Sequence, residues 1–175
     1  PAGLTFAQVM ADQNGVTVFE KTQAVGGSFL WAGYAPKFQT VDARPDTFLA
    51  YLRGMKTICT QKGVILKTGI DPLSDPSCLE GYDWIVVATG ARLPLGLDHV
   101  VRPLLKAGLF QQGWLKRLFS QDSIRSYFYY HLRQATGAHG QSRLKTSARI
   151  SVIGDAAKAG KAHEAIRSAY DLAFH

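Results

Sequence analysis

Several short groups of residues along the chain have types and spacing suited to holding a dinucleotide. Pro1, Ala2 and Gly3 lie at the start of a predicted helix, and Glu20, followed by Lys21, ends the next predicted strand. A glycine-containing turn lets the backbone approach a pyrophosphate, which the helix N-terminus stabilises. A carboxylate about 20 positions further along can accept hydrogen bonds from ribose hydroxyls. The alternative is an ordinary helix entry and a strand-end carboxylate.

Two later groups of small residues extend this pattern. Gly26 and Gly27 come shortly after the carboxylate, and paired glycines let a chain pass close to a bound nucleotide without side-chain interference. Ala88, Thr89 and Gly90 follow an apolar run, at a strand end where ligands lie in parallel α/β sheets. The alternatives are a simple turn at the glycines and a plain strand-to-loop transition at the second group.

The last group is a carboxylate that follows the final predicted strand. Asp155 comes directly after Gly154 and precedes a closing helix. A carboxylate at this place can accept hydrogen bonds from ribityl or ribose hydroxyls, while the helix N-terminus faces phosphate. The alternative is a turn closed by a capping residue.

The hydrophobic pattern predicts a largely parallel sheet, in which ligands lie at the strand ends. Short apolar runs rich in β-branched residues are typical of buried parallel strands. These runs span residues 16–19, 64–66, 82–87 and 150–153. Helices are predicted over residues 3–12, 46–62 and 160–173. We therefore expect an α/β fold.

Residues 94–146 have a different character, with many bulky aromatic and basic side chains. Helical stretches are predicted near 99–119 and 122–135, followed by a loop marked by Gly137. The segment from Trp114 to Phe119 suits either an amphipathic helix on a membrane or partner, or a helical cap packed on the sheet. We favour the cap.

Length and charge limit what the chain can do. Its 175 residues suffice for one domain, and the formal net charge of +7 suits phosphates or an acidic partner as well as ordinary solvated surface. The sequence has no nucleic-acid motif, metal-ligand spacing, secretory signal or long apolar run, and its two cysteines have no redox spacing. We expect a cytoplasmic protein without a metal, and partners other than nucleic acid or membrane.

The motifs PAG, VTVFEK, VGG, YDWIVVATGA and ISVIGDA, taken in order, resemble the FAD-binding domain of Old Yellow Enzyme-like flavoproteins. That group includes 2,4-dienoyl-CoA reductase and trimethylamine dehydrogenase. The resemblance covers residues 1–93 and 147–175 and implies a Rossmann-like, FAD/NAD(P)-binding parallel sheet into which the helical segment 94–146 is inserted.

The resemblance also implies site residues. It implies that Gly3 lies under the pyrophosphate, that Glu20 holds the adenosine ribose, and that Asp155 lies near the flavin. The other residues that it implies beside FAD are Ala2, Lys21, Gly26, Gly27, Ala88, Thr89 and Gly90.

The sequence departs from the family pattern in three respects. The family's preceding strand and earlier glycines do not appear, so the first strand of the sheet is missing, and we expect the chain to be a piece of a longer polypeptide. The family also inserts an NAD(P)H-binding domain where this sequence has residues 94–146, and no second GxGxxG occurs there. Finally, no nucleophile–base pair or CxxC is present, so catalytic residues stay unassigned.

The predicted function is therefore a FAD-binding module of a flavin-dependent oxidoreductase. The resemblance implies that it passes electrons to an FMN-containing barrel domain or subunit, where substrate is reduced. The alternative is a non-catalytic domain that binds ADP only and stabilises or docks a larger enzyme. The absence of an evident NAD(P)H site favours that alternative.

Overall fold

The computed structural model describes residues 1–32, 34, 44–94, 97–109, 112–119, 121–127, 131, 133–144 and 146–175. In this part of the chain the helices are α1 (Ala2–Met10), α2 (Phe29–Ala32), α3 (Pro45–Gln61), α4 (Asp98–Lys106), α5 (Gly113–Phe119), α6 (Asp122–Tyr127), α7 (Gly137–Arg143) and α8 (Ala162–Ala173). The strands are β1 (Thr17–Glu20), β2 (Ile65–Thr68), β3 (Trp84–Val87), β4 (Ala91–Arg92), β5 (Gln134–Ala135) and β6 (Arg149–Val152). The chain has the predicted α/β class.

The described strands form separate pairs. β1 runs parallel to β2, with Glu20 opposite Thr68, and β3 runs parallel to β6, with Val87 opposite Val152. β4 and β5 form a short antiparallel ladder. Because the main pairs are parallel, the carboxyl ends of the two strands in each pair lie at the same edge.

Helix α1 joins the two parallel pairs because it packs on both with different side chains. Leu4 and Ala7 belong to the hydrophobic cluster formed with α3, β1 and β2. Ala2 and Phe6 belong to a second cluster formed with α8 and the β3–β6 pair, where the Phe6 ring meets Trp84 edge-on at a centroid distance of 5.2 Å. Side chains three or four positions apart share a face of a helix, so each set lies on its own side of α1.

The structure corrects the helix predicted near 99–119. Helix α4 ends at Lys106, and α5 begins only at Gly113. Gly108, between them, has a left-handed φ of 73°, which an α-helix does not accommodate. The glycine therefore breaks a segment whose hydrophobic pattern alone favours one helix.

The structure also corrects the end of this segment. Gln134–Ala135 form strand β5, where a helix was expected, because they pair with β4. Gly137–Arg143 form helix α7, where a loop was expected. A Cβ atom added at Gly137 would lie 2.6 Å from the carbonyl oxygen of Ala156, so α7 packs closely on the chain that follows β6.

The segment from Trp114 to Phe119 was expected to pack its aromatic side chains on the sheet. The structure corrects this expectation at Trp114. The Trp114 side chain is 73% exposed, so its indole is not packed on the sheet. The side chain of Phe119 and residues 128–130 lie outside the described part of the chain. Among the described helices, none combines the length and apolar character needed to cross a bilayer.

Candidate functional site

The N-terminus of α1 lies against the loops that follow β3 and β6. A Cβ atom added at Gly154 would come within 2.7 Å of the Cβ of Ala2, and one added at Gly3 would lie 3.1 Å from the Cβ of Ala88. The first turn of α1 therefore sits at the carboxyl ends of two parallel strands. Ligands bind at this edge in parallel α/β sheets, and the N–H groups of a helix N-terminus attract anions.

The two predicted carboxylates lie at or just after the ends of two strands. Glu20 is the last residue of β1, and Asp155 directly follows Gly154, which lies against Ala2. The Oε1 atom of Glu20 accepts a hydrogen bond from the backbone N–H of Thr22 at 2.9 Å. The Thr22 hydroxyl lies 2.9 Å from this oxygen and from the carbonyl oxygen of Ala24, so the two acceptors share its one proton. Thr22 thus orients Glu20 and leaves its Oε2 atom for a further donor. The side chain of Lys21, between these two residues, is exposed.

The paired glycines after β1 have different surroundings. Both have left-handed φ values, 134° at Gly26 and 54° at Gly27. A Cβ atom at Gly26 would lie 2.6 Å from a methyl group of Leu52, whereas no atom in the described part of the chain lies within 4 Å of one at Gly27. Gly26 is therefore required by packing against α3.

The loop after β3 is tied to the segment before α7. The Oγ1 atoms of Thr89 and Thr136 lie 2.7 Å apart, and the Thr136 hydroxyl donates to the carbonyl of Gly90 at 2.6 Å. Gly90 has a left-handed φ of 80°. The next residues form β4 and pair with β5, so residues 134–136 fix the strand-end loop in place.

Asp155 lies in the turn after β6 and forms a largely buried ion pair with Arg133. The side chains are 17% and 11% exposed, respectively. Arg133 also donates through Nη1 to the carbonyl of Gly160 at 3.0 Å, and the Gly160 N–H donates to Oδ1 of Asp155 at 3.3 Å. The preceding Gly154 N–H donates to the Ser168 hydroxyl oxygen at 2.8 Å, which anchors the turn on α8.

The structure thus brings Ala2, Gly3 and Ala88 into contact range, and it places Asp155 next to Gly154, which lies against Ala2. Among the described residues, no three His, Cys, Asp or Glu side chains gather in a way that could hold a metal ion.

Sequence reasoning missed Thr22, Arg133 and Thr136. A hydroxyl two positions after a carboxylate is a local signal that could have indicated Thr22. Arg133 and Thr136 reach partners that are 22 and 47 residues away, and no local pattern indicates such contacts.

Comparison with known proteins shows a similarity of fold to a solved structure. No family model and no curated protein sequence matches the chain. The structure is similar to that of a 2-naphthoyl-CoA reductase in complex with 2-naphthoyl-CoA, with a TM-score of 0.69 and 15% sequence identity. The match covers 99% of this chain and 38% of the reductase chain, so this chain spans less than half of that protein's length. At this identity the likeness establishes the fold.

Proposed function

We propose that the chain is a Rossmann-like, FAD-binding module of a flavin-dependent oxidoreductase. The observation that carries the proposal is the close approach of the α1 N-terminus to both strand-end loops, one of which contains Asp155. Two parallel strand pairs under one shared helix also fit a Rossmann-like sheet. The sequence resemblance and the fold likeness to a reductase support the same class.

The residues present fit the dinucleotide part of FAD. Ala2 and Gly3 give α1 a first turn without bulky side chains, which suits a pyrophosphate held by backbone N–H groups. Glu20, oriented by Thr22, can accept a hydrogen bond from the adenosine ribose through Oε2. Lys21, which is exposed, and Gly27, which has no described neighbour within 4 Å of an added Cβ atom, would border the same nucleotide.

The residues after β3 and β6 would meet the other end of the cofactor. Ala88 packs against α1, and Thr89 and Gly90 belong to a loop held by Thr136. Asp155 would lie beside the ribityl chain. When bound, the flavin would supply the redox chemistry, and this chain would bind and orient it. We propose that electrons pass to an FMN-containing barrel domain or subunit.

A second candidate function is a structural domain that binds ADP without flavin. Between residues 94 and 133, the described part of the chain contains helices only, so no second parallel sheet is seen there for a hydride donor. The contacts proposed for the ADP half, at α1 and Glu20, would be the same in either function.

Titration of the purified chain with FAD and with ADP tests both functions. Glu20→Gln removes the negative charge and is expected to weaken both ligands by about tenfold or more, since hydrogen bonds to charged groups contribute about 1.5–3 kcal/mol. Glu80→Gln is the matched control, because Glu80 is exposed after β2 and outside the site. Binding of ADP with no preference for FAD would favour the structural domain. No binding of either ligand, or equal effects of the two substitutions, would contradict the proposal.

A further inference from the structure

One ion pair links the segment 94–146 to the proposed nucleotide site. Arg133 directly precedes β5 and contacts both ends of the turn that follows β6, through the Asp155 carboxylate and the Gly160 carbonyl. The guanidinium uses a different nitrogen for each acceptor, Nη2 for Asp155 and Nη1 for Gly160. A lysine has one nitrogen, so it would keep the charge without this two-point contact.

The pair has an electrostatic consequence for any anion at the α1 N-terminus. Asp155 is 17% exposed and directly follows Gly154, where an added Cβ atom would lie 2.7 Å from the Cβ of Ala2, so its carboxylate lies near the start of the helix. A pyrophosphate would enter a region that already holds this carboxylate, and like charges in a poorly solvated region repel strongly. The Arg133 charge offsets that of Asp155.

We propose that Arg133 is a positioning residue that makes the site accept phosphate-bearing ligands, by neutralising Asp155 and holding its carboxylate away from the incoming phosphates. The inference rests on the proposed nucleotide-binding function and adds a specificity determinant to it. The segment 94–146 would then contribute directly to cofactor binding, through the residue that precedes β5.

The test compares ADP with adenosine, which lacks the phosphates, by calorimetric titration. Arg133→Met is expected to lower the affinity for ADP on the order of tenfold at low salt and to leave adenosine nearly unchanged, since only ADP senses the unpaired carboxylate. Arg133→Lys should recover most of the ADP affinity because it retains the charge. The double variant Arg133→Met with Asp155→Asn should also recover it, because the repelling carboxylate is gone.

Controls separate electrostatic from structural effects. Arg167→Met removes an exposed arginine whose Nε atom lies 3.9 Å from Oδ2 of Asp171. This control substitution should leave the affinities for ADP and adenosine unchanged. Thermal unfolding followed by circular dichroism shows whether each variant is folded at the titration temperature. If Arg133→Met is not folded, Arg133→Gln replaces it, because glutamine also removes the charge and can still donate a hydrogen bond, and the same selective loss of ADP affinity is expected. Equal losses for ADP and adenosine, no loss for either, or no recovery in the double variant would overturn the inference.

The wild-type titration distinguishes this inference from the proposed function. If the wild-type chain binds neither ligand, the nucleotide proposal fails and the Arg133 assignment fails with it. If it binds ADP and Arg133→Met binds equally well, only the Arg133 assignment fails.

Discussion

The Oγ1 atoms of Thr89 and Thr136 lie 2.7 Å apart, although 47 residues separate the two threonines. The Thr136 hydroxyl donates its one proton to the carbonyl of Gly90. The proton between the two threonines must therefore come from Thr89. The Thr89 hydroxyl can therefore form a further hydrogen bond only by accepting one. Two consecutive hydrogen bonds, from Thr89 to Thr136 and from Thr136 to Gly90, hold the loop that follows β3.

Thr136→Val is expected to lower the free energy of unfolding by about 1–3 kcal/mol. The substitution keeps the shape of the side chain and removes the hydroxyl, which leaves the half-buried Gly90 carbonyl without this donor. Urea unfolding measures the change. Thr60→Val is the control, since the Thr60 hydroxyl makes one exposed bond within α3, to the carbonyl of Lys56. Equal effects of the two substitutions would show that the Thr89–Thr136 contact contributes little.

Gly154→Ala is expected to destabilise the fold more than Gly81→Ala. The two glycines have left-handed φ values of 61° and 80°, a conformation that costs other residues about 1–2 kcal/mol. The new methyl group at position 154 would also lie 2.7 Å from the Cβ of Ala2, whereas no described atom lies within 4 Å of one at position 81. Overpacking adds about 1–3 kcal/mol. Similar unfolding midpoints would contradict the close approach of α1 to this turn.

Phe6→Ala is expected to cost about 3–5 kcal/mol of stability. Phe6 is 7% exposed and packs edge-on against Trp84, so the truncation leaves a cavity between α1 and β3. Phe174→Ala is the control at a 73% exposed ring and should change stability by less than about 0.5 kcal/mol. Guanidinium unfolding of both variants checks the prediction. A small effect at Phe6 would mean that α1 does not join the two strand pairs as described.

Cys59 is expected to react with iodoacetamide far more slowly than Cys78. The Cys59 side chain is 0% exposed and donates to the Leu4 carbonyl at 3.6 Å. Burial raises the pKa of the Cys59 thiol, and the nearby Lys62 lowers it only in part. Peptide mapping after timed alkylation measures both rates, and Cys78, which is partly exposed, is the internal control. Comparable rates in the native protein would contradict the burial of Cys59.

The raised pKa of Cys59 also sets the sign of a pH effect. The folded chain binds the thiol proton more tightly than the unfolded chain, so this contribution to stability is present below the ordinary thiol pKa, about 8.5, and is lost as the pH rises above it. Cys59→Ala should flatten the alkaline decline in urea midpoint. An unchanged decline would mean that other titrating groups cause the loss of stability at alkaline pH.

Local patterns predicted the elements that position the site. The apolar run before Ala88 and the periodic apolar residues of α3 gave the strand and helix within two residues of their bounds, because burial of these elements depends on the sequence pattern itself. Glycine at position 137 indicated a loop because glycine disfavours helices. The structure places a helix there, where the close approach to Ala156 leaves no room for a side chain.

The contacts that complete the site could not be predicted. Arg133 pairs with Asp155, and Thr136 with Thr89, only after β5 has paired with β4 and α7 has packed near β3 and β6. Such contacts depend on the tertiary arrangement. The basic character of residues 94–146 indicated a charged surface, but it did not indicate which arginine is buried against Asp155.

The absorption spectrum of the purified chain, followed by chromatographic identification of any nucleotide released on denaturation, tests FAD binding directly. A FAD-binding module is expected to show flavin absorption bands and to release FAD, with less FAD retained by Glu20→Gln. Released ADP without flavin bands would contradict the redox function and leave a nucleotide-bound structural domain. A chain that carries no nucleotide and takes up none from added FAD or ADP would contradict the nucleotide site itself.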